Sequence, residues 1–217
     1  MIDKREFKPR KRKSAFRDAS FIVIATEDEY TERQYFLDFI SPKYYRNPRV
    51  HVEVLKRKTH ASSPKHVMDA LNKFRHDYRL KDYDELWMII DRDKWTRKEL
   101  SDVAAKCVQK GYSLSVSNPC FELWLLLHIK SIDEYTSNEK SNLEKNQKVN
   151  GNRTLLEQEI SDILGSYNKS NLDTSKFLPK VEYAIEQARQ LDTNPGQRWP
   201  ISLRTRVYRL AERIISD

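Results

Sequence analysis

The sequence predicts an α/β fold with a mostly parallel four-stranded sheet, flanking helices and an α-helical carboxyl-terminal extension. Between residues 21 and 130, short β-branched apolar runs alternate with longer segments in which apolar residues recur at helical spacing. Beyond residue 131 the strand signals stop while helical spacing continues. Alternation of strands and helices is typical of a parallel sheet that is covered by helices on both faces.

Four segments have the features of strands. Residues 21–26 form a continuous apolar run, which is typical of a strand buried on both faces. Residues 49–55 alternate apolar and polar side chains. Residues 85–90 are apolar in their second half and end at an acidic pair, and residues 112–117 form the fourth strand.

The first two helices carry start signals. Residues 31–40 keep helical spacing, and Thr31 is predicted to be the N-cap of this helix. Ser63 and Pro64 are predicted to open the second helix as its cap and its first residue, because proline is favoured where the backbone N–H has no partner.

The last two helices of this region have different boundary signals. Residues 98–110 are predicted to be helical, and Gly111 is well placed to end that helix. The fourth helix follows Asn118 and Pro119 and contains the apolar sequence FELWLLLHI. Asn118 is the predicted cap of this helix.

Composition divides the chain into three parts. Residues 1–19 are dense in Lys and Arg without an apolar period, and are predicted to be a basic flexible arm. Residues 20–130 are the predicted α/β core. Residues 131–217 are predicted to begin with a mobile polar loop and to continue as a helical extension that packs on the core. Its helices are expected at residues 153–164, 178–191 and 202–215.

The charge balance favours a polyanionic partner. The chain has 217 residues, a formal net charge of +8 and a pI of about 9.3, which favours nucleic acid as a partner. No apolar stretch approaches the roughly 20 residues of a membrane span, so a cytoplasmic location is expected. Cys107 and Cys120 lack the spacing of a zinc site and are interpreted as buried, reduced thiols.

Two acidic clusters follow predicted strands. Glu27 and its two acidic neighbours come after the first strand, and Asp91 and Asp93 come after the third. Ligands of parallel α/β sheets bind beyond the carboxyl ends of strands. Residues i and i+2 of an extended chain point the same way, so Asp91 and Asp93 can share one cation. Glu27 faces the same pocket if the two strands are neighbours.

Carboxylate oxygens at this position suit Mg²⁺ or Mn²⁺ better than zinc. A divalent cation there could activate water and stabilise charge on a phosphodiester, with Glu27 as the general base or acid. Acidic residues are also common in turns and at helix starts, so the carboxylates alone leave an ordinary structural role open.

Two other protein classes with acidic strand ends fit less well. A receiver domain needs a lysine after a fifth strand, and no such strand is evident in the sequence. A haloacid-dehalogenase phosphatase has its DxD motif after the first strand, whereas here Asp91 and Asp93 follow the third and lead into Lys94.

The order of several motifs resembles a known family. The chain contains, in sequence, TEDEYTERQYF, MIIDRD, SNPCFELWLLLH and TRVYRL. Together they resemble the RloB family of bacterial proteins, which are linked to restriction and phage-defence loci and have a Toprim-like core. The resemblance covers about residues 20–215, and SNPCFELWLLLH is its most distinctive motif.

The resemblance implies a Toprim/Rossmann-like core and roles for the matching residues. Glu27 has the place of the Toprim glutamate, and Asp91 and Asp93 have the place of the metal-binding pair. Glu32 matches a second glutamate of the first motif, and Glu122 lies in the distinctive motif. Both are candidates for further ligands.

One position departs from the family pattern. A glycine usually follows the first glutamate, and this chain has Asp28. Glycine would permit a left-handed turn and the close approach of a phosphate, whereas aspartate adds charge and bulk. The departure puts the substrate geometry in question.

Two functions follow as hypotheses. The first is a Mg²⁺- or Mn²⁺-dependent nuclease in antiviral defence, acting on DNA or RNA. The second is a catalytically weak or inactive nucleic-acid-binding or regulatory module that works with a partner such as an ATPase, with oligomers possible. Basic residues would contact the nucleic-acid backbone without reading bases. They are Lys8, Arg10, Lys11, Arg12, Lys13 and Arg92.

Overall fold

The α/β architecture is confirmed by the computed structural model, which describes residues 19–45, 47–56, 63–151 and 153–216. The strands are β1 (Ser20–Thr26), β2 (Val50–Val54), β3 (Glu85–Asp91), β4 (Ser113–Asn118), β5 (Lys148–Asn150), β6 (Arg153–Thr154) and β7 (Arg204–Thr205). One sheet has five of them in the order β2-β1-β3-β4-β7, and β5 and β6 form a separate hairpin.

Eight α-helices lie in the described part of the chain, with short 3-10 turns between some of them. Four lie within the predicted core region: α1 (Thr31–Phe39), α2 (Pro64–Asp77), α3 (Arg97–Lys110) and α4 (Glu122–Ile129). Four lie in the carboxyl-terminal extension: α5 (Ser137–Lys145), α6 (Leu155–Leu164), α7 (Val181–Leu191) and α8 (Val207–Ile215). None of the described helices is long and apolar enough to cross a membrane.

The alternating direction of side chains along β1 creates two cores. Ile22 and Ile24 face α1, α4 and the helices of the extension, whereas Val23 and Ala25 face α2 and α3. Helix α4 is apolar on all sides because it lies between the sheet and the extension, and residues 123–127 are fully buried. This sandwich fixes the start of α4 against the sheet.

The register of β1 and β3 brings their carboxyl ends together. The two strands pair in parallel, with Ile22 opposite Glu85 and Thr26 opposite Ile89. The backbone N–H of Glu27 continues the ladder by donating to the Ile89 carbonyl at 3.1 Å. The first and third strands are therefore neighbours, and their acidic ends share one edge of the sheet.

The sheet has one strand more than predicted. β7 is antiparallel and pairs Thr205 with Ser117 and Arg204 with Asn118. The last predicted helix, residues 202–215, accordingly begins only at Val207, as α8. A strand of two residues is too short to produce an alternating pattern, so the sequence contains no signal for it.

The polar stretch after residue 131 forms regular structure where a mobile polar loop was predicted. Helix α5 begins with a capping box, in which Thr136 and Glu139 bond reciprocally to each other's backbone N–H groups. The helix ends at Asn146, which has a left-handed backbone, and the β5–β6 hairpin follows. Leu143 is buried and fixes this polar helix to the core.

Two predicted helix boundaries are confirmed and two are wrong. The Ser63 hydroxyl caps α2, and Gly111 ends α3 with a φ of 67°. Thr31 does not cap α1, because Asp28 accepts the N–H groups at the start of that helix. Asn118 does not cap α4 and is instead the last residue of β4.

Candidate functional site at the carboxyl end of the sheet

Glu27 lies directly after β1 and is 1% exposed. Its Oε2 accepts hydrogen bonds from the Asp91 backbone N–H at 3.2 Å and from the Trp95 indole N–H at 3.1 Å. Its Oε1 is buried without a hydrogen-bond partner among the described residues, and the nearest cation is Lys94 Nζ at 3.5 Å. One oxygen is thus used for positioning, and the other is left for a further ligand.

Asp91 ends β3 and anchors the start of α4. Its Oδ1 accepts the Phe121 N–H at 2.8 Å, and its Oδ2 lies 3.8 Å from Lys94 Nζ. Burial, followed by repulsion from Glu122, raises the pKa of Asp91 well above its usual range. Lys94 Nζ lies 3.5 Å from Glu27 Oε1 and 3.8 Å from Asp91 Oδ2. The distance between these two carboxylate oxygens therefore cannot exceed the sum of the two values. That is below the roughly 10 Å at which a shared ion would be excluded.

Asp93 lies at the exposed rim of the site. β3 ends at Asp91, so the extended geometry expected to align Asp93 with it is not present at this position. The chain turns instead, and the Asp93 N–H donates to the Pro119 carbonyl at 3.1 Å. Partial burial and the nearby Glu122 raise the pKa of Asp93, against the effect of Lys94. Its metal-binding role stays a prediction.

Glu32 is the second residue of α1 and is completely buried. Its Oε2 accepts the Asp28 N–H at 2.9 Å, whereas its Oε1 has no hydrogen-bond partner among the described residues. Burial and the charge of Asp91 raise the pKa of Glu32 well above its usual range. Like Glu27, it directs one oxygen into the structure and leaves the other unsatisfied.

Asp28, the departure from the family pattern, has a structural role. Its two carboxylate oxygens accept the N–H groups of Tyr30 and Thr31, at 3.0 and 3.1 Å. With the bond from its own N–H to Glu32, this is a reciprocal cap of α1. Asn146 is the one described residue other than glycine with a positive φ, so the turn at Asp28 does not require the conformation that favours glycine.

Glu122 is the first residue of α4, and the extension surrounds it. Lys169 Nζ lies 2.7 Å from its Oε1, and the Tyr167 hydroxyl donates to the same oxygen at 3.3 Å. Burial alone would raise the pKa of Glu122, but the ion pair with Lys169 lowers it. Burial opposes the charged form of Lys169, yet Glu122 outweighs it and raises the pKa of Lys169.

The site includes residues that the sequence did not reveal. Lys169 and Tyr167 come from the loop between α6 and α7, and Lys94 and Trp95 follow Asp93 directly. Lys94 and Trp95 could have been predicted from the sequence, because they directly follow the DxD motif. No local pattern marks the other two, because only the packing of the extension brings them to the carboxylates.

The predicted nucleic-acid contacts are mostly untested by the structure. The basic residues from Lys8 to Lys13 lie outside the described residues. Arg92 is partly exposed, and its backbone N–H donates to the carbonyls of Ser117 and Pro119 at 2.8 and 3.1 Å. Its side-chain Nε is buried without a hydrogen-bond partner among the described residues.

The carboxylate oxygens of the site are the type of ligand that a hard divalent cation prefers, but they are not already arranged around a cation position. Within the described ranges, no group of three or more His, Cys, Asp or Glu side chains is arranged to hold a metal ion. Lys94 and Lys169 supply the positive charge instead. The unsatisfied buried oxygens of Glu27 and Glu32 are where the donor set offers room for a ligand.

Comparison with known proteins identifies the family. No curated protein and no solved structure matches the chain. The sequence model of the family described as RloB-like protein matches residues 22–214, which include every described carboxylate of the site. The match extends over most of the chain, and the chain therefore belongs to the RloB-like protein family.

Proposed function

We propose that the protein is a Mg²⁺- or Mn²⁺-dependent Toprim-type nuclease. The observation that carries the proposal is the set of buried carboxylates at one sheet edge. Two of them, Glu27 and Glu32, each keep an unsatisfied oxygen. Burial of uncompensated carboxylates is costly, and a cation offsets that cost.

The roles of the residues follow from their positions. Asp91 and Asp93 would hold the cation, with Glu32 and Glu122 as additional ligands and Glu27 beside it. The cation supplies Lewis acidity at the phosphodiester and activates water. Glu27 Oε1 is unsatisfied and next to Asp91, so it is the atom we assign to take a proton from the attacking water. Trp95 and the Asp91 N–H fix its orientation by binding Oε2.

Lysines support a phosphate-containing substrate. The side chains of Lys94 and Lys169 are 46% and 42% exposed, and both reach carboxylates of the site. Their ammonium groups can bind a phosphate from the solvent side while they stay next to these carboxylates. The net charge of +8 would raise the local concentration of nucleic acid around the whole protein.

The biological setting is proposed from the resemblance alone. Members of this family are linked to phage-defence loci, so we place the activity in cytoplasmic antiviral defence, with an ATPase as a possible partner protein.

A second function is favoured by one observation. Lys94 and Lys169 already neutralise part of the acidic cluster, and no described group of three donors is arranged for a metal. A protein that binds nucleic acid without cleaving it would need no more than this arrangement. This alternative predicts nucleic-acid binding that is independent of divalent cations.

The test is a cleavage assay with a matched pair of variants. Wild-type protein, Asp91→Asn and Asp102→Asn are incubated with single- and double-stranded DNA, tRNA and total RNA, in Mg²⁺, Mn²⁺ or chelator. Asp102 is an exposed aspartate of α3 and is the control. We expect cation-dependent cleavage by the wild type and Asp102→Asn, and loss of cleavage in Asp91→Asn.

Two outcomes would contradict the proposal. Cleavage that persists in Asp91→Asn would remove the metal assignment. Absence of cleavage with every substrate and cation, combined with cation-independent binding, would favour the second function.

A further inference from the structure

We propose that Tyr30 is a stacking platform for an unpaired base of the substrate, so that the site acts on single-stranded nucleic acid. This inference rests on the proposed function of the same site and specifies its substrate class. It is carried by the exposure of Tyr30, by its fixed backbone and by its place between the carboxylates and Lys169.

Tyr30 presents its ring to solvent to an unusual degree. The residue is 55% exposed, which is more than any other described Phe, Tyr or Trp; Tyr83 and Tyr183 follow at 44% and 40%. It makes no ring contact with another described aromatic residue. An exposed aromatic ring costs free energy in water and provides a face on which a base can stack.

The backbone of Tyr30 is held in place. Its N–H donates to Asp28 Oδ1 at 3.0 Å, and its carbonyl accepts the Gln34 N–H at 3.0 Å. The ring is therefore attached to the first turn of α1, and only its side-chain torsions remain to be fixed when a base binds. Such preorganisation lowers the entropic cost of binding.

The position of Tyr30 connects it to the site. It is three residues after Glu27, so the two Cα atoms lie within about 11 Å of each other. The next residue, Thr31, donates its hydroxyl to the carbonyl of Lys169 at 2.9 Å. Tyr30 consequently lies on the rim between the strand-end carboxylates and the loop that supplies Lys169.

A phosphate and a base can be held at this rim together. The half-exposed Lys94 and Lys169 would bind the phosphate, and Tyr30, at most about 11 Å from Glu27 between Cα atoms, would stack on a base of a neighbouring nucleotide. In a duplex, the faces of bases are covered by the bases above and below, so an aromatic side chain can stack without unstacking the helix only on an unpaired base. DNA and RNA both provide such bases.

The experiment measures binding separately from cleavage. Oligonucleotides that contain 2-aminopurine, as single-stranded DNA, single-stranded RNA and matched duplexes, are titrated in chelator with wild type, Tyr30→Leu, Tyr30→Phe and Tyr183→Leu. Tyr183→Leu is the control for loss of an exposed tyrosine. Tyr30→Phe keeps the ring, and melting temperatures verify that the variants fold.

We expect the fluorescence of 2-aminopurine to be quenched by wild type, Tyr30→Phe and Tyr183→Leu. Tyr30→Leu should abolish the quenching and weaken single-strand binding roughly 5- to 150-fold, while duplex binding changes little. The DNA and RNA arms identify which sugar the site accepts. Equal single-strand affinity and quenching for Tyr30→Leu and wild type would overturn the inference.

The two proposals can fail separately. Weakened single-strand binding in Tyr30→Leu, in a protein that cleaves nothing, would support the stacking role and overturn the nuclease. Cleavage of duplex and single strands with equal efficiency, unaffected by Tyr30→Leu, would support the nuclease and overturn the stacking role.

Discussion

The strand-end half of the site, formed by Glu27, Glu32 and Asp91, differs from the half formed by Glu122 and Lys169. Both halves contain buried carboxylates. At the strand ends, burial and the charge of Asp91 raise the pKa of Glu32, and burial and the charge of Glu122 raise the pKa of Asp91 in spite of Lys94. At the start of α4, the pKa of Glu122 is lowered because Lys169 is only 2.7 Å away. The strand-end half is therefore short of positive charge, and the other half is already neutralised.

This difference indicates where an added cation would bind. A divalent ion gains most where carboxylates are buried, close together and incompletely paired. Glu27 and Glu32 each have an unsatisfied oxygen, whereas Glu122 Oε1 already contacts Lys169 and Tyr167. The following experiments test the contrast between the halves, from the largest expected effect to the smallest.

Replacement of Glu27 by Gln should have the largest effect on activity. The change keeps the size of the side chain but removes the proton acceptor, so cleavage should fall by about 10²- to 10⁴-fold. Single-turnover rates measure the loss. Glu182→Gln, at an exposed glutamate of α7, is the control and should retain activity. A rate within a factor of three of the wild type would remove Glu27 from the chemistry.

Replacement of Lys169 by Met should destabilise the protein more than replacement of Lys94 by Met. The first change leaves Glu122 buried without its cation, which costs about 3 kcal/mol. This is the low end for a broken buried pair, because Lys169 itself is 42% exposed. Denaturant unfolding in chelator measures both variants. Equal stability of the two lysine variants would show that the halves do not differ as described.

Addition of Mg²⁺ or Mn²⁺ should stabilise the folded protein through the strand-end half. An ion at a hundredfold excess over its dissociation constant adds about 2.7 kcal/mol to the free energy of unfolding. Thermal unfolding with and without the ion measures the effect. The gain should be lost in Asp91→Asn and kept in Asp102→Asn. An equal gain in both variants would place the bound ion elsewhere.

The two halves should respond to pH with opposite signs. A raised folded pKa makes the folded state bind a proton that the unfolded state has lost, so Asp91 contributes less stability as pH rises above about 4. Glu122 has a lowered pKa and loses its contribution as pH falls below about 4.5. Each slope is at most about 1.4 kcal/mol per pH unit.

Unfolding in chelator between pH 3 and 8 separates these contributions. Asp91→Asn should flatten the decrease of stability on the alkaline side, and Glu122→Gln should flatten the decrease on the acidic side. If both variants alter the same limb of the profile, the assignment of opposite shifts is wrong.

The sequence was informative for the strand-end half and much less for the other. Glu27 and Asp91 follow long apolar strands, and parallel strands bring their carboxyl ends to one edge, so their proximity could be predicted. Lys169 lies in a loop without periodicity, and its approach to Glu122 depends on packing across 47 residues of chain. Residues that meet through tertiary packing leave no local pattern.

The residue that caps α1 could not be predicted from the sequence either. Thr31 and Asp28 are both acceptable caps by residue type, and the choice depends on where β1 ends and α1 begins. Asp28 has this role because Glu32 accepts its N–H in return. This reciprocal contact with Glu32 gives a structural reason for Asp28 at the position where the family usually has glycine.

The loop that carries Lys169 is synthesised after Glu122, so the site cannot be complete until the extension has been made. Residues 20–130 include Glu122 and β4, but the counter-charge Lys169 and the pairing strand β7 are synthesised later. Docking of the extension therefore both buries Glu122 and supplies its counter-charge. Maturation of the site is therefore coupled to completion of translation, and a prematurely terminated chain would keep its acidic half open and unstable.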